Sequence, residues 1–567
     1  MARGPLPIIA RVPSAAPETS GPPPAPPPRL GGRDALALLI LFGAAVLLVY
    51  RGALSGPFVA DDPVYYVFNP ATASLAPGNL LAILDPRSDA HHYAYNYAPL
   101  HLLLVAAERQ LFGSWMAGYH AVNLLLHVLA GVLLVALLRS SRIPRTAAVL
   151  GGAIFALHPA QVEAVAWISQ LKSTACLPLA LGALLCLWRH PRVSTGLFGL
   201  ALLTKFGALA FLPAAAAFAW ARRAPRATWV WLGAWLALLL GVAVAQVAVF
   251  GSGGAYELEA FRDRFEQLRT IFAHGARYLW MAGTGLGLSA YHEPEPAGLA
   301  SRWWWVGLAC GVALAWRTLR ALRRRDEEAG YWVLAVASFL PVSQIVPFRF
   351  PLADRYLYFI LPGLIGGSWL AAMALCRALA RRAGADPARI AWRGGLAAAA
   401  LLGLLMGFQA RARVPLWLGD GRLMIDAARH YPAGSHGAYL RAVGAARQRD
   451  AERAVAELRG VEERRRLSLI RDFERDPWLA PIRDAPAFRD FVRETARFRI
   501  ELVRRRGMRP GEEGVVALKH ATLGDYDTAI ALVEDAIRDG APRREELLRL
   551  LDELRARRRA DGASRPR

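Results

Sequence analysis

The sequence of 567 residues has very little lysine and very little cysteine. Lysine occurs only at Lys172, Lys205 and Lys519, so arginine supplies almost all of the 68 basic residues and the formal net charge of +23. The spacing of the four cysteines excludes a cysteine metal centre, and none is available to hold the charged C-terminal part by disulfides. Each cysteine falls in an apolar run, where it is expected to be a small buried hydrophobe: Cys176, Cys186, Cys310 and Cys376.

Hydrophobic residues are abundant, at 55%, and the mean hydropathy is +0.26. This is too apolar for a soluble protein and indicates a chain that crosses a lipid bilayer several times. The basic residues of the apolar part lie mostly in short loops between apolar runs, as in the cytoplasmic loops of membrane proteins. We therefore expect the bilayer, and no nucleic acid, to be the partner of the positive charge.

Three parts follow from composition. Residues 1–33 are rich in Pro and Arg and are predicted to be a disordered cytoplasmic tail. Residues 34–410 hold the long apolar runs and are predicted to be a polytopic transmembrane domain. Residues 411–567 carry 34 basic and 26 acidic residues and are predicted to be a soluble helical domain. The predicted fold is all-α throughout.

Arginines before residue 34 place the N-terminus in the cytoplasm and the loop 51–115 on the outer side of the membrane. The alternation of apolar runs and basic loops then predicts about 11 spans. One predicted pair, within 195–221, consists of two short helices with Lys205 near their outer turn. The segment 271–289 is predicted to be re-entrant or interfacial. An odd span count puts the domain 411–567 outside, which in an inner (cytoplasmic) membrane is the periplasm.

The polar domain shows a helical-repeat pattern between residues 524 and 542. Gly524 lies at a predicted interhelix turn, and Ala529 and Ala536 are spaced for close packing between paired helices. This arrangement is typical of tetratricopeptide repeats. An irregular helical bundle is the alternative interpretation of the same pattern.

Two adjacent carboxylates, Asp61 and Asp62, follow the first apolar run. Acidic groups beside a bilayer are costly unless they face water, a cation or a substrate. A carboxylate in this position could act as the general base of a transfer reaction at the membrane surface. Solvated loop acids, or a divalent cation site made by the pair with water, are the alternatives. No other cofactor is implied.

Cationic residues in apolar surroundings at the same side of the membrane could bind a leaving phosphate: Lys172, Lys205, Arg355 and His158. For the lysines and the arginine, the alternative is a side chain that reaches from the apolar region to the interface. For His158 it is a packed, hydrogen-bonded core residue. Further polar and aromatic residues near these positions are candidates for lining a substrate cavity: His91, His92, Tyr97, Glu163, Trp167, Asp354 and Tyr356.

Four ordered segments together resemble the transmembrane and tetratricopeptide-repeat O-mannosyltransferases, which have the GT-C fold, and their bacterial relatives. They are Phe58–Asn69, His158–Lys172, Leu202–Lys205 and Phe350–Tyr358, and a fifth similarity spans Arg277–Tyr291. The resemblance implies a mannose donor linked to a polyprenyl or dolichyl phosphate, inverting transfer to Ser/Thr hydroxyls, and an acid in the first outer loop as base. We expect the acceptor to be a periplasmic protein or glycan.

The sequence departs from that family at three charged positions. Ser173 follows Lys172 and Phe206 follows Lys205, where the family has acids, and Ala98 replaces the arginine of a Tyr-Arg-Pro-Leu motif. His91 and His92 are candidates to replace that arginine. The departures leave a second hypothesis open, in which the protein is a catalytically degenerate, membrane-anchored helical-repeat scaffold for envelope assembly.

Overall fold

The computed structural model describes residues 30–94, 96–251, 261–347, 350–383, 385–465, 472–508, 511–541 and 544–564. Most of the predicted disordered tail 1–33 therefore lies outside the described residues. Within them the protein is all-helical, as predicted, and the only extended pairing is an isolated bridge between His292 and Leu352.

The N-terminal part holds sixteen α-helices among the described residues. They are α1 (Gly32–Tyr50), α2 (Pro77–Leu84), α3 (Ala90–Ala94), α4 (Pro99–Phe112), α5 (Met116–Ser140), α6 (Arg145–Leu157), α7 (Gln161–Ala166), α8 (Leu171–Cys186), α9 (Pro191–Thr204), α10 (Phe211–Ala221), α11 (Arg226–Gly251), α12 (Arg264–Thr284), α13 (Arg302–Arg324), α14 (Glu328–Phe339), α15 (Leu357–Ala383) and α16 (Ala385–Arg413).

Six helical segments are long and apolar enough to cross a membrane, and they contain α1, α5, α8, α11, α15 and α16. Three shorter apolar segments contain α6, α10 and α14. The two other predicted spans also coincide with helices, α9 and α13. These features indicate a membrane protein, while the count of 11 crossings stays a prediction.

The predicted break near Lys205 is confirmed. Helix α9 ends at Thr204, Lys205 is extended with φ −154° and ψ 124°, and a 3₁₀ turn leads into α10. Helix α8 returns against α9, so that the start of α8 and the end of α9 lie side by side. This packing brings residues 172–176 next to the break.

Close glycine contacts hold the core helices α14 and α15 together. A Cβ built on Gly363 would lie 2.5 Å from the Tyr331 carbonyl oxygen and 2.5 Å from the Ala335 amide nitrogen. One turn later, Gly366 meets the face of the Tyr331 ring. Only glycine allows two helix backbones to approach this closely, which is a common device in membrane helix pairs.

The C-terminal part contains seven α-helices among the described residues. They are α17 (Asp420–His430), α18 (Ser435–Arg447), α19 (Ala451–Arg465), α20 (Pro486–Arg506), α21 (Glu513–Thr522), α22 (Tyr526–Arg538) and α23 (Arg544–Ser564). Each of these helices packs against the next one in the chain.

The predicted turn between α21 and α22 is present. Gly524 has φ 84°, a left-handed conformation that favours glycine, and the Asp525 carboxylate caps α22 by accepting from the Thr528 amide. Ala529 and Ala536 are buried in the helix interface. The helix pair is therefore confirmed, and its assignment to tetratricopeptide repeats stays a prediction.

The first helix of the C-terminal part, α17, contacts two loops of the membrane part. The Asp420 carboxylate accepts from the Ala60 amide at 2.8 Å, and the Asp426 carboxylate accepts from the Ala290 amide at 2.8 Å. The acidic loop around Asp61 is thus attached to the polar helices.

Candidate active site

The two acids of the first outer loop have different surroundings. Asp62 is fully buried, and its carboxylate accepts hydrogen bonds from the Val59 amide at 2.9 Å, the Ser169 amide at 2.7 Å and the Ser169 hydroxyl. Burial raises the pKa of Asp62 to about 7, although these hydrogen bonds favour the ionised form. Asp62 therefore joins the outer loop to the segment before α8.

Asp61 is exposed, and its carboxylate makes no hydrogen bond or ion pair with another described residue. Asp61 lies within electrostatic range of Arg355 and of Tyr291. The preceding residue, Ala60, has φ 51°, a left-handed conformation that is unfavourable for alanine. The contacts of Asp62 and Asp420 on this turn hold it in place, so that Asp61 points outward.

Lys172, in the first turn of α8, donates to the Tyr65 hydroxyl at 3.1 Å. Its ammonium group also lies 5.1 Å from the centre of the Tyr65 ring, within range of a cation–π interaction. Tyr65 follows Asp61 and Asp62 in the same loop. The loop that carries the acids therefore also positions Lys172.

Lys205 donates to the Ser173 hydroxyl at 2.7 Å and lies over the ring of Phe359 at 5.0 Å. Ser173 stands where the resembled family has an acid, so a neutral hydroxyl takes the place of a carboxylate beside this lysine. Among the described residues, neither Lys205 nor Lys172 forms an ion pair with a carboxylate. Both ammonium groups are therefore open to another anion. Burial, together with the charges of Lys172 and Arg355, lowers the pKa of Lys205 to about 7, so a bound anion would favour its charged form.

Arg355 forms an ion pair with Glu163 across 192 residues of sequence. The Glu163 carboxylate also accepts from the Arg355 amide at 2.7 Å, and the guanidinium lies near the rings of Trp167 and Tyr356. Trp167 follows the end of α7, and its ring stacks on Trp417. Both Glu163 and Trp167 therefore meet at the same arginine.

Asp354 is not the ion-pair partner of its neighbour Arg355. Its carboxylate accepts from His292 Nε2 at 2.7 Å and from the Arg413 guanidinium at 3.2 Å. His292 in turn lies 2.9 Å from the Tyr431 hydroxyl. Asp354 thus connects the loop after α12, the end of α16 and the start of the polar helices, and leaves Arg355 to Glu163.

His158 is buried, and both of its ring nitrogens are used. Nε2 lies 3.1 Å from the Ala282 carbonyl, and Nδ1 accepts from the Ala160 amide at 3.1 Å. Burial lowers the pKa of His158 to about 4, so the ring is neutral at pH 7. This geometry leaves neither nitrogen free for a phosphate and fixes the turn between α6 and α7.

The predicted loop residues His91 and Tyr97 are together, with ring centres 4.8 Å apart. The backbone of Tyr97 exchanges two hydrogen bonds with the Gln246 side chain of α11, at 3.0 Å and 2.7 Å. His92 lies on α3, and its side chain lies outside the described structure. Tyr97 is thus tied to α11, and no contact connects it directly to the lysines in the described part of the chain.

The charged residues around the acidic loop form one cluster. The charges of Lys172 and Arg355 both act on Lys205, and those of Lys172 and Glu163 act on Tyr356. Together with the influence of Asp61 on Arg355, these interactions join the first outer loop, the start of α8, the break after α9 and the start of α15. We call this set, Asp61, Glu163, Lys172, Lys205 and Arg355, the charged cluster.

An apolar groove of about 600 Å³ lies next to the charged cluster, between α4, α5, α8 and α9. Its walls are mostly leucine, and Glu108 is its only charged lining residue. Leu171, the neighbour of Lys172, lines one part of it. A basic cluster beside such a groove is suited to an amphiphile with an anionic head group.

A metal site is not apparent in the part of the chain that the structure describes, since no three His, Cys, Asp or Glu side chains are grouped to hold an ion. The oxygens of Asp62 already accept three hydrogen bonds. Asp61 is therefore the one carboxylate of the pair that is open to solvent or to a ligand.

Several residues of the site escaped sequence-based prediction. Tyr65 and Ser169 lie within three residues of predicted site positions, so their proximity was a usable signal. His292 and Arg413 pair with Asp354 from distant parts of the chain, and nothing local in the sequence marks them.

The chain is similar to a protein that is named as a protein O-mannosyl-transferase. Over 152 residues it is 31% identical to the protein O-mannosyl-transferase Tmtc1 of Drosophila melanogaster, an alignment that covers 26% of this chain and 18% of that protein. No protein-family model matches the chain. No solved structure matches it either. The similarity points to a glycosyltransferase relationship, and because it spans less than a fifth of the relative, donor and acceptor are matters for proposal.

Proposed function

We propose that the protein is a membrane glycosyltransferase that moves a sugar, with mannose as the first candidate, from a polyprenyl phosphate to a periplasmic acceptor. The observation that carries the proposal is the exposed Asp61 carboxylate within electrostatic range of Arg355, which together with Lys172 interacts with Lys205. The similarity to a protein O-mannosyl-transferase supports the same reaction class. A protein Ser/Thr hydroxyl is the proposed acceptor, with a glycan hydroxyl as the second.

The chemistry assigns each group a role. Asp61 takes the proton of the acceptor hydroxyl while the oxygen of that hydroxyl attacks the anomeric carbon of the sugar. The bond between that carbon and the phosphate oxygen breaks, and the polyprenyl phosphate leaves with the bonding electron pair. Lys172, Lys205 and Arg355 stabilise the charge of the leaving phosphate. Attack from the side opposite to the leaving group inverts the anomeric centre.

The remaining residues hold this arrangement. Glu163 fixes the Arg355 guanidinium, and Asp62 fixes the loop that presents Asp61. The apolar groove beside Lys172 is the proposed path of the polyprenyl chain. The polar helices, attached to the Asp61 loop through Asp420, are the proposed contact surface for the acceptor. This assignment requires the odd number of spans that places both on the periplasmic side.

The test is mass spectrometry of periplasmic glycoproteins and glycans from cells with and without the protein. The proposal predicts that hexose-modified Ser/Thr peptides, or a defined glycan, disappear with the protein and return on complementation. They should not return with the Asp61→Asn variant expressed at the same level. Identical glycan profiles in all three strains would remove the basis of the proposal.

A second candidate function is the non-enzymatic scaffold, which the neutral residues Ala98, Ser173 and Phe206 favour because the resembled family has charges there. The same strains separate the two. A scaffold predicts that Asp61→Asn restores every phenotype of the deletion strain, since one exposed carboxylate does not support the fold. If the protein is a transferase, Asp61→Asn should restore no phenotype that depends on the glycan.

A further inference from the structure

A buried histidine lies beside the charged cluster without a hydrogen-bond partner. His101, in the first turn of α4, is fully buried, and neither ring nitrogen has a partner among the described residues. The edge of its ring faces the Tyr65 ring, with centres 5.2 Å apart. An unpartnered buried polar group is unfavourable by about 1–3 kcal/mol, so such a group usually meets a ligand or a water.

The surroundings of His101 favour an anion as that ligand. The charges of both Lys172 and Lys205 act on the ring. Burial, reinforced by these two charges, holds the pKa of His101 well below its usual range, so the ring is neutral and has one N–H to donate. Around it, Lys172 and Lys205 bond only to the hydroxyls of Tyr65 and Ser173 in the described structure. In the described structure, none of these three nitrogen donors is paired with a carboxylate.

The adjoining groove indicates what the anion is attached to. Leu100 and Leu104, on either side of His101 in α4, line the apolar groove, as does Leu171 beside Lys172. His101 and Lys172 are thus sequence neighbours of leucines that line the groove, while the two residues themselves lie outside its lining. A ligand that satisfies both the donors and the groove has an anionic head and a long apolar chain.

We propose that His101 is a phosphate-binding residue, which donates its ring N–H to the head group of a polyprenyl phosphate held by Lys172 and Lys205. The inference deepens the proposed function and rests on it for the identity of the lipid. It assigns to α4 a direct contact with the donor. His101 follows Ala98 by three residues. Because Ala98 stands where the resembled family has an arginine, His101 supplies a hydrogen-bond donor in the region that lacks that arginine.

The experiment measures binding of a polyprenyl phosphate, without sugar, to the full-length protein in nanodiscs by native mass spectrometry. A His101→Phe variant, which keeps the buried ring but loses the N–H, should bind about tenfold more weakly, the effect of about 1.4 kcal/mol from one lost bond to a charged group. His101→Gln, which keeps an N–H donor, should recover part of the affinity.

The matched control is His274→Phe. His274 is likewise buried with no ring hydrogen bond among the described residues, but it lies near Arg277 and away from the lysines. His274→Phe should bind polyprenyl phosphate with the affinity of the wild type. If His101→Phe fails to fold, as judged by thermal unfolding, His101→Leu replaces it, and the comparison with His101→Gln retains the test.

Two ligand controls separate the sources of the phosphate. Polyprenol without phosphate should bind equally to the wild type and to His101→Phe. Inorganic phosphate should compete with polyprenyl phosphate only at high concentration. Equal affinity of wild type and His101→Phe for polyprenyl phosphate, or no binding by the wild type, would overturn the inference. A His101-dependent effect on inorganic phosphate alone would overturn the lipid assignment.

These outcomes are distinct from those that decide the function. Binding that depends on His101 in a protein that transfers no sugar refutes the transferase and leaves the phosphate site standing. Transfer that is insensitive to His101, with unchanged donor KM, refutes the phosphate role and leaves the transferase standing.

Discussion

At the scale of single residues, the adjacent aspartates Asp61 and Asp62 have different roles. Asp62 is buried and accepts hydrogen bonds from Val59 and Ser169, whereas Asp61 is exposed and within electrostatic range of Arg355. A residue that holds a fold and a residue that performs chemistry respond differently to the same Asp→Asn change. The pair can therefore be separated by measuring stability and activity in parallel.

Asp62→Asn is expected to lower the free energy of unfolding by about 1.5–3 kcal/mol, because an amide cannot accept all three hydrogen bonds that the carboxylate accepts. Thermal unfolding of the purified protein in nanodiscs checks this, with Asp61→Asn as the matched control. The exposed control should unfold at the wild-type temperature. An Asp62→Asn protein as stable as the control would show that these hydrogen bonds do not hold the loop.

The stability of the wild type should also depend on pH through Asp62. Burial raises the pKa of Asp62 from 3.8 to about 7, so the folded protein binds this proton more tightly than the unfolded chain does. The resulting stabilisation is complete below pH 3.8 and is lost as pH rises through about 7. The unfolding temperature should therefore fall between about pH 4 and about pH 7.

In Asp62→Asn the fall of the unfolding temperature with rising pH should be shallower. It should not vanish, because burial also raises the pKa of Glu108 to about 8 and its proton contributes with the same sign. A pH profile identical to that of the wild type would contradict the assignment to Asp62.

At the scale of helices, close packing between α14 and α15 sets the position of Arg355 at the start of α15. Gly363→Ala would press a methyl group against the backbone of α14 at Ala335, 2.5 Å away. We expect a loss of about 1–3 kcal/mol in unfolding free energy, since backbone cannot move aside as a side chain can. Thermal unfolding again provides the measurement.

The control for this prediction is Gly395→Ala in the interior of α16, where an added Cβ meets nothing within 4 Å. It should leave the unfolding temperature unchanged or raise it slightly, because alanine favours a helix more than glycine does. If both variants were equally stable, the α14–α15 contact would not be tight.

Helix positions were accessible from the sequence, while the pairing of side chains was not. Apolar runs bounded by arginines marked each predicted span, and Lys205 within an apolar stretch marked the break after α9. The choice of Glu163 over Asp354 as partner of Arg355 depends on how α7 packs against the start of α15. Hydrophobic periodicity does not predict which helices pack together, and proximity in sequence does not predict which side chains form ion pairs. His101 was missed for the same reason, since a histidine in an amphipathic helix looks like an interfacial residue until the helix is packed.

At the scale of the whole molecule, the proposed reaction requires the polar helices and Asp61 to lie on one side of the membrane. Hydrogen bonds from Ala60 to Asp420 and from Ala290 to Asp426 join them. A cysteine at Glu545, whose side chain is 89% exposed, should therefore react with a membrane-impermeant maleimide in intact cells with permeable outer membranes. A cysteine at Arg324, in the predicted cytoplasmic loop after α13, should react only after lysis.

Both variants are made in a background in which the four native cysteines are replaced. Labelling of the position 324 variant alone in intact cells would place the polar helices in the cytoplasm. It would contradict the predicted orientation of the membrane domain and the location of the proposed acceptor surface.

The most direct test of the central claim is sugar transfer by the purified protein in nanodiscs, with a polyprenyl-phosphate mannose donor and a mixture of periplasmic acceptor proteins. The wild type should form mannosylated product and release polyprenyl phosphate. Asp61→Asn should fold normally and transfer about 10²–10⁴-fold more slowly, the range expected for loss of a general base. Transfer by Asp61→Asn at the wild-type rate would contradict the account.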